Sequence, residues 1–221
     1  MKREVIRTAD GSPSLRISQW DESYHSIHGA VQESLHVFIR MGLEYLPFGN
    51  NLNILEMGFG TGLNALLTAI HPQVEGKAIR YTGLEAFPLS ADEWQPLDYP
   101  SQVEHPKANR IYEQLHRSAW GMFNEITPGF ELRKLQVDVR EFEPTEAFDL
   151  IYYDAFGARV QPELWTAAIF ETMYRALRPG GVLVTYAAKG SVRRAMQEVG
   201  FQVERLPGPP GKREMLRASK P

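Results

Sequence analysis

Asn53-Ile54-Leu55-Glu56-Met57-Gly58-Phe59-Gly60-Thr61-Gly62-Leu63-Asn64-Ala65-Leu66-Leu67 is the stretch that decides the fold. Residues 53–57 read as a short apolar strand. A glycine-rich turn follows, then a helix over about 62–70 that His71-Pro72 stops. A strand, a tight turn and a helix in this order make a nucleotide-type cofactor site at the carboxyl edge of a parallel sheet. A dinucleotide fingerprint requires a third glycine at position 63, which is Leu63 here, and the Gly-Lys-Ser/Thr ending of a phosphate loop is missing. What remains is Glu-x-Gly-x-Gly-x-Gly with Asn64 just behind it. A turn without a ligand is the plain alternative, but three alternating glycines cost backbone entropy on folding.

Working outward, residues 79–84 form a second strand ending at Glu85, an acid placed to receive ribose hydroxyls. A third strand, 131–136, leads to Asp138 and Val139. Residues 148–153 form an apolar strand that delivers Asp154 at its carboxyl end, where catalytic groups collect in open α/β sheets. Pro162 opens a helix, and Arg178-Pro179-Gly180-Gly181 leads into a strand at 182–186. A helix at 191–199 and strands at 201–206 and 212–218 complete the chain. The alternation predicts an α/β, Rossmann-like domain: a mostly parallel seven-stranded sheet, helices on both faces, the last strand antiparallel. That domain spans 51–221, with a helical insertion at about 88–128 broken by Pro96, Pro100 and Pro106. Residues 1–50 read as an extension packed on it, a hairpin (5–8 and 14–18) and a helix over 30–46. The loop between them, 19–29, is aromatic and carries two histidines.

Of the 221 residues, 43% are hydrophobic and 23% charged, an ordinary globular composition. There is no cysteine, which excludes disulfides, thiolate nucleophiles and Cys-ligated metals. No His-x-Glu or His-Glu-x-x-His pattern points to a metal. The polar start of the chain and the lack of any span-length apolar run predict a cytoplasmic protein without membrane contact. A monomer is the expected state. Residues 186–221 hold 8 Lys/Arg against 3 Asp/Glu, whereas residues 1–185 hold 16 against 24. Such a bias either steers a polyanion to one side or marks a solvated C-terminal face.

The pieces Tyr24-His25-Ser26-Ile27-His28-Gly29-Ala30, Glu33-Ser34-x-His36-Val37-Phe38, Leu55 to Asn64, Asp154-Ala155-Phe156, Pro162-Glu163-Leu164-Trp165, Leu177-Arg178-Pro179-Gly180-Gly181, Gly190-Ser191-Val192-Arg193-Arg194 and Gly211-Lys212-Arg213-Glu214-Met215-Leu216 occur in this order. Together they resemble the MnmC-like tRNA 5-methylaminomethyl-2-thiouridine methyltransferase domain, in particular relatives lacking the FAD oxidase half. The resemblance implies a class I methyltransferase using S-adenosyl-L-methionine (SAM). Its implied reaction is N-methylation of the aminomethyl group on C5 of the wobble uridine in a tRNA anticodon loop. Two departures stand out: Gly157-Ala158 in a loop that usually reads Ala-Pro, and Pro209-Pro210-Gly211 where an aromatic often precedes the glycine.

On that footing Glu56, Gly58, Gly60, Thr61, Gly62 and Asn64 hold the methionine part and the ribose side of SAM, and Glu85 takes the ribose hydroxyls. Asp138 accepts from the adenine amino group with Val139 near the ring, and Glu33 approaches from the N-terminal side. Asp154 orients the incoming amine, removes its proton or holds the ammonium of SAM; orientation is favoured because an exposed carboxylate is a weak base near neutral pH. Tyr24 and Phe156 line the transfer pocket or pack the core. His25 and His28 are candidate substrate contacts, and Lys189, Arg193, Arg194, Lys212 and Arg213 candidate tRNA phosphate contacts. The rival readings are a methyltransferase for a small amine or another RNA nucleoside, an NAD-dependent oxidoreductase, and a non-catalytic RNA-binding protein.

Overall fold

Apolar residues alternate along the central strands, and the alternation gives each face of the sheet its own helices. Ile54 on one strand and Leu150 and Tyr152 on its neighbour face one core; Leu55, Met57, Ile151 and Tyr153 face the other. These facts come from a computed structural model that describes residues 2–144 and 146–221.

Strands β1 (Arg3–Arg7), β2 (Pro13–Ile17) and β3 (Glu22–Ser23) form a small antiparallel sheet of their own. Helix α1 (Ala30–Ser34) continues into a wider-bore helical segment, Leu35–Leu43, where the Glu44 N–H reaches back five residues to the Ile39 carbonyl (2.9 Å). Gly42 lets this segment lie close on the sheet: a Cβ there would meet Val184 at 3.0 Å. The main sheet follows with β4 (Asn51–Met57), α2 (Leu63–Ala69), β5 (Ala78–Leu84), α3 (Ala91–Trp94), α4 (Ala108–Arg117), β6 (Phe123–Thr127) and β7 (Phe130–Leu135). Then come β8 (Phe148–Tyr153), α5 (Ala167–Ala176), β9 (Leu177–Thr185), α6 (Gly190–Glu198), β10 (Gln202–Pro207) and β11 (Glu214–Ser219).

The strand order is β10-β11-β9-β8-β4-β5-β7-β6. The five strands from β7 through β5, β4 and β8 to β9 are parallel, and β11 runs antiparallel between β9 and β10. The sheet therefore has eight strands among the described residues, not the expected seven. The eighth, β6, lies at the end of the stretch expected to be a helical insertion. Gly129, at φ +83°, reverses the chain there, and a Cβ on it would lie 2.4 Å from the Lys77 carbonyl oxygen. The reversal lets Phe123–Thr127 pair with β7 as an antiparallel edge. The remainder of that stretch is the crossover from β5, through α3 and α4, to β7.

Two strand beginnings are fixed by one carboxylate. Asp149 Oδ2 accepts the Asn53 backbone N–H (2.7 Å) and its side-chain amide (3.2 Å), while Oδ1 accepts from Arg178 (2.8 Å). The bond ties β4 to β8, the pair whose carboxyl ends carry the site. Asp149→Ala leaves that N–H without its partner and is expected to lower stability by about 1–3 kcal/mol. Urea unfolding followed by circular dichroism checks this, and an unchanged midpoint would contradict it.

Candidate active site

β4 and β8 are adjacent and parallel, so the turns leaving them must pass one another. The Asp154 N–H donates to the Met57 carbonyl (2.9 Å), and the Asp154 carbonyl oxygen sits where a Cβ on Gly58 would be only 2.6 Å away. Gly58, Gly60 and Gly62 take φ of +89°, +49° and +72°, a region that penalises any side chain. The loop bends back on itself and leaves a cavity of about 310 Å³ at the strand ends, which Asp154, Asn64, Glu85, Asp138 and Val139 help to line.

The acids of this cavity differ in what holds them. Glu85 accepts the Gly60 N–H on Oε2 (2.8 Å) and the Phe87 N–H on Oε1 (2.9 Å). Each oxygen keeps further acceptor capacity toward the cavity. Burial raises this carboxyl above the usual range against those two bonds. Asp138 caps a short turn by accepting the Arg140 N–H (2.9 Å), and its carboxylate is also paired with the Arg140 guanidinium, which holds its pKa down. Asp154 accepts from Asn64 Nδ2 (2.9 Å). Burial, with Glu33 adding to it, pushes its carboxyl up to about 7 against that bond and Lys212. The side chain is half-buried, where the sequence reading expected an exposed carboxylate.

Three expected cofactor contacts lie off the wall, Gly62 among them, where a Cβ would meet His116 at 3.1 Å. Glu56 is 1% exposed and stands behind Asn64, off the cavity wall, with Oε1 accepting from the same Nδ2 (2.9 Å). Strand alternation explains the placement: Glu56 shares a face with Ile54, toward α2. Glu33 is also off the wall; it accepts the Ser26 N–H (2.7 Å) and pairs with Lys212 (2.5 Å). Thr61 reaches the wall, backed by Tyr112 and His116, which both donate to its carbonyl oxygen (3.1 Å each).

The N-terminal sheet closes the cavity from above. Tyr24 lies against Gly60, where a Cβ would meet its Cδ1 at 3.3 Å, and packs edge-on to Phe156 with centroids 4.9 Å apart. Both rings line the cavity. His25 is buried within reach of Ser14 (3.2 Å) and Thr61 (3.4 Å), and burial holds it neutral with a pKa of about 4. It also lines the cavity, as a neutral strut between the N-terminal sheet and the glycine loop. His28 is outside the cavity, pressed on the backbone of Gly211.

A second cleft of about 530 Å³ adjoins the first, with Tyr186 on the walls of both. Lys189, Lys212, Arg213 and Arg159 line it; Arg193 and Arg194, further along α6, do not. Lys212 is committed to Glu33 and lies 3.8 Å from the Tyr186 ring centroid, so it is not a free phosphate contact. Lys189 and Arg213 form no ion pair among the described residues.

Sequence reasoning missed the residues that hold this arrangement shut. Arg3 pairs with Glu93 (3.0 Å) and donates to the Phe87 carbonyl (2.7 Å). Arg159 donates to the carbonyls of Trp20 (3.1 Å) and Asp21 (2.9 Å) and pairs with Glu22 (2.5 Å). Tyr186 donates to the Ala155 carbonyl (2.7 Å). These contacts join segments far apart in the chain, and no local pattern announces them.

A glycine loop at the central strand of a sheet with this order, followed by acids at successive strand ends, defines a Rossmann-like class I methyltransferase. Residues 106–221 match the family of S-adenosyl-L-methionine-dependent methyltransferases. The chain belongs to that family, and its cofactor is SAM. A "tRNA 5-methylaminomethyl-2-thiouridine biosynthesis bifunctional protein MnmC" of Cupriavidus necator is 34% identical over 233 residues, covering 98% of this chain and 34% of that protein. Its counterpart from Paracidovorax citrulli is 30% identical over 233 residues, covering 99% and 35%. The chain thus spans about a third of the length of the curated relatives it matches. The crystal structure of MnmC2 from Aquifex aeolicus is 28% identical and superposes with a TM-score of 0.81, covering 100% of this chain and 72% of that one. Spermidine synthase from Thermotoga maritima shares the fold alone, at 12% identity and a TM-score of 0.61, covering 98% and 68%.

The residues present suit SAM. Asn64 lines the wall, and its Oδ1 is buried without a partner among the described residues, an acceptor that an ammonium would satisfy. Glu85 offers paired oxygens suited to a diol, and Val139, Leu84 and Phe87 supply an apolar wall. Among the described residues no group of three or more His, Asp or Glu is gathered as a metal site. No helix among the described residues is long and apolar enough to cross a membrane.

Gly58→Ala drives a methyl group into the Asp154 carbonyl and forces an unfavourable φ. SAM affinity measured by calorimetry is expected to fall at least about tenfold, alongside a stability loss of about 1–3 kcal/mol. Unchanged affinity would contradict the close approach. Asp154→Asn tests the electrostatics. The folded carboxyl keeps its proton to about pH 7, whereas an unfolded one gives it up near its ordinary 3.8, so this group costs stability as pH rises between the two. The variant is expected to be more stable than the parent at pH 8 and equal to it at pH 3.5, read from urea midpoints; no gain at pH 8 would refute a raised pKa.

Proposed function

We propose that the chain methylates the primary amine of an aminomethyl group on C5 of the wobble uridine in tRNA, and that it does so in the cytoplasm. The observation that carries this reading is the position of Asp154. It lies in the cofactor cavity, beside the Tyr186 wall through which that cavity adjoins a cleft edged by Lys189 and Arg213. The similarity to MnmC proteins over 98% of the chain supports the same acceptor.

In this reading Glu85 receives the ribose hydroxyls of SAM, Asn64 its ammonium, and Val139 with Phe87 its adenine. Asp138 already serves Arg140, so it receives the adenine amino group only by sharing its oxygens. SAM, when bound, supplies a methyl group on a sulfonium centre that an uncharged amine can displace. Asp154 accepts a hydrogen bond from the incoming amine, aligns it and takes its proton. A carboxyl with a pKa of about 7 is a competent acceptor near neutrality, where an ordinary one is not. Tyr24 and Phe156 offer aromatic edges and faces to a uracil turned out of the anticodon loop. Lys189 and Arg213 meet the neighbouring phosphates.

Transfer of labelled methyl from SAM to tRNA that lacks wobble methylation, followed by nucleoside analysis, tests the proposal. A new methylaminomethyl-type uridine is expected, with kcat/KM rising with pH through about 7 in the parent. Asp154→Asn is expected to lower kcat at least about 100-fold and remove that rise. The KM for tRNA is expected to increase about tenfold between 50 and 200 mM salt, less steeply in Lys189→Ala. Clear SAM binding with no label in tRNA would discard the acceptor and keep the cofactor.

A further inference from the structure

Asn64 makes one arrangement that cofactor binding does not explain. Its single side-chain nitrogen donates both protons to carboxylates, one to Glu56 Oε1 (2.9 Å) and one to Asp154 Oδ2 (2.9 Å). With both acids accepting, the amide sets its nitrogen toward them and Oδ1 away. Glu56 is the fixed end of this bridge. It sits in the middle of the sheet, paired in register with Tyr152 on β8, two residues before Asp154. It is 1% exposed, lies off the wall of the cofactor cavity, and its Oε2 has no partner among the described residues.

We propose that Glu56 is a positioning residue: through the Asn64 amide it holds the Asp154 carboxylate in its working orientation, without touching the cofactor. The inference rests on the reading of Asp154 as the proton acceptor. Without Glu56 the Asn64 amide is free to turn over, and its oxygen then faces Asp154 and favours the protonated acid. Burial raises the Glu56 carboxyl well above the ordinary carboxylate range. A glutamine can take that place, its oxygen toward Asn64 and its NH2 toward the Tyr81 hydroxyl that faces Glu56.

Several other groups act on Asp154 and must stay in place in the test. Glu33 from α1 raises its pKa, and Lys212 from the β10–β11 loop lowers it. The hydroxyls of Tyr186, after β9, and Tyr99 also feel its charge, as does Glu56. The sign of one measurement separates positioning from simple charge repulsion. Removing a charged neighbour lowers the Asp154 pKa, whereas removing the acceptor that orients Asn64 raises it.

The experiment titrates Asp154 by carboxyl-carbon NMR in the cofactor-free protein, so it reads the bridge whatever the methyl acceptor proves to be. Glu56→Ala is expected to raise the Asp154 pKa by about one pH unit, and Asn64→Ala to do the same by removing the donor. Glu56→Gln is expected to restore the parent titration, the kcat and the acidic limb of the pH profile. SAM affinity by calorimetry is expected to stay within about threefold in Glu56→Gln, which keeps the Asn64 oxygen turned away from the acids. A fall in the Asp154 pKa in Glu56→Ala, or no movement, would overturn the proposal. So would a tenfold loss of SAM affinity in Glu56→Gln, a readout that stands even if Glu56→Ala fails to fold. Failure of tRNA as acceptor would leave the titrations unaffected, which keeps the two readings separable.

Discussion

The backbone of Gly58 lies against the carbonyl of Asp154, and the site depends on that approach. It exists because β4 and β8 are parallel neighbours whose chains leave the sheet at the same edge. Only a residue without a side chain lets the two turns pass so closely. Once they do, the glycine loop and the Asp154 carboxylate share one cavity, and Asn64, at the start of the helix behind the loop, can touch Asp154 and Glu56 together.

That crowding is electrostatically costly. Asp154, Glu56, Glu85 and Glu33 gather within a small region, and three of the four have carboxyls raised chiefly by burial. The fold offsets the cost with backbone N–H groups on Glu85, the Asn64 amide on two acids, and Lys212 on Glu33. The N-terminal sheet adds a lid held at both ends, by Arg3 on one side and Arg159 on the other. Excluding water keeps the carboxyls raised, and a raised Asp154 suits the proton-accepting role proposed for it. The same residues that close the cavity thus set its chemistry.

The parallel sheet was legible in the sequence because its evidence is local. Apolar runs ending in Glu85, Asp138 and Asp154 mark strand ends, and the glycines at 58, 60 and 62 mark the turn. The eighth strand was not legible, because Phe123-Asn124-Glu125-Ile126 becomes a strand only through the reversal at Gly129. The expected acidic contacts that fall off the cavity wall, Glu56 and Glu33, were placed by nearness in sequence. Glu56 follows the strand's alternation into the core; Glu33 meets a lysine 179 positions away, a pairing that no periodicity encodes. The expected phosphate cluster divided for the same reason: Lys189, Lys212 and Arg213 meet at one cleft, whereas Arg193 and Arg194 follow the turn of α6 away from it.

The most direct test of the account is a crystal structure with S-adenosylhomocysteine bound. The account expects the ribose hydroxyls on Glu85, the adenine against Val139, the amino group at Asn64 Oδ1, and the sulfur opening toward Asp154 and Phe156 with Glu56 untouched. A ligand whose sulfur faces away from Asp154, or whose amino group bonds Glu56 directly, would contradict it.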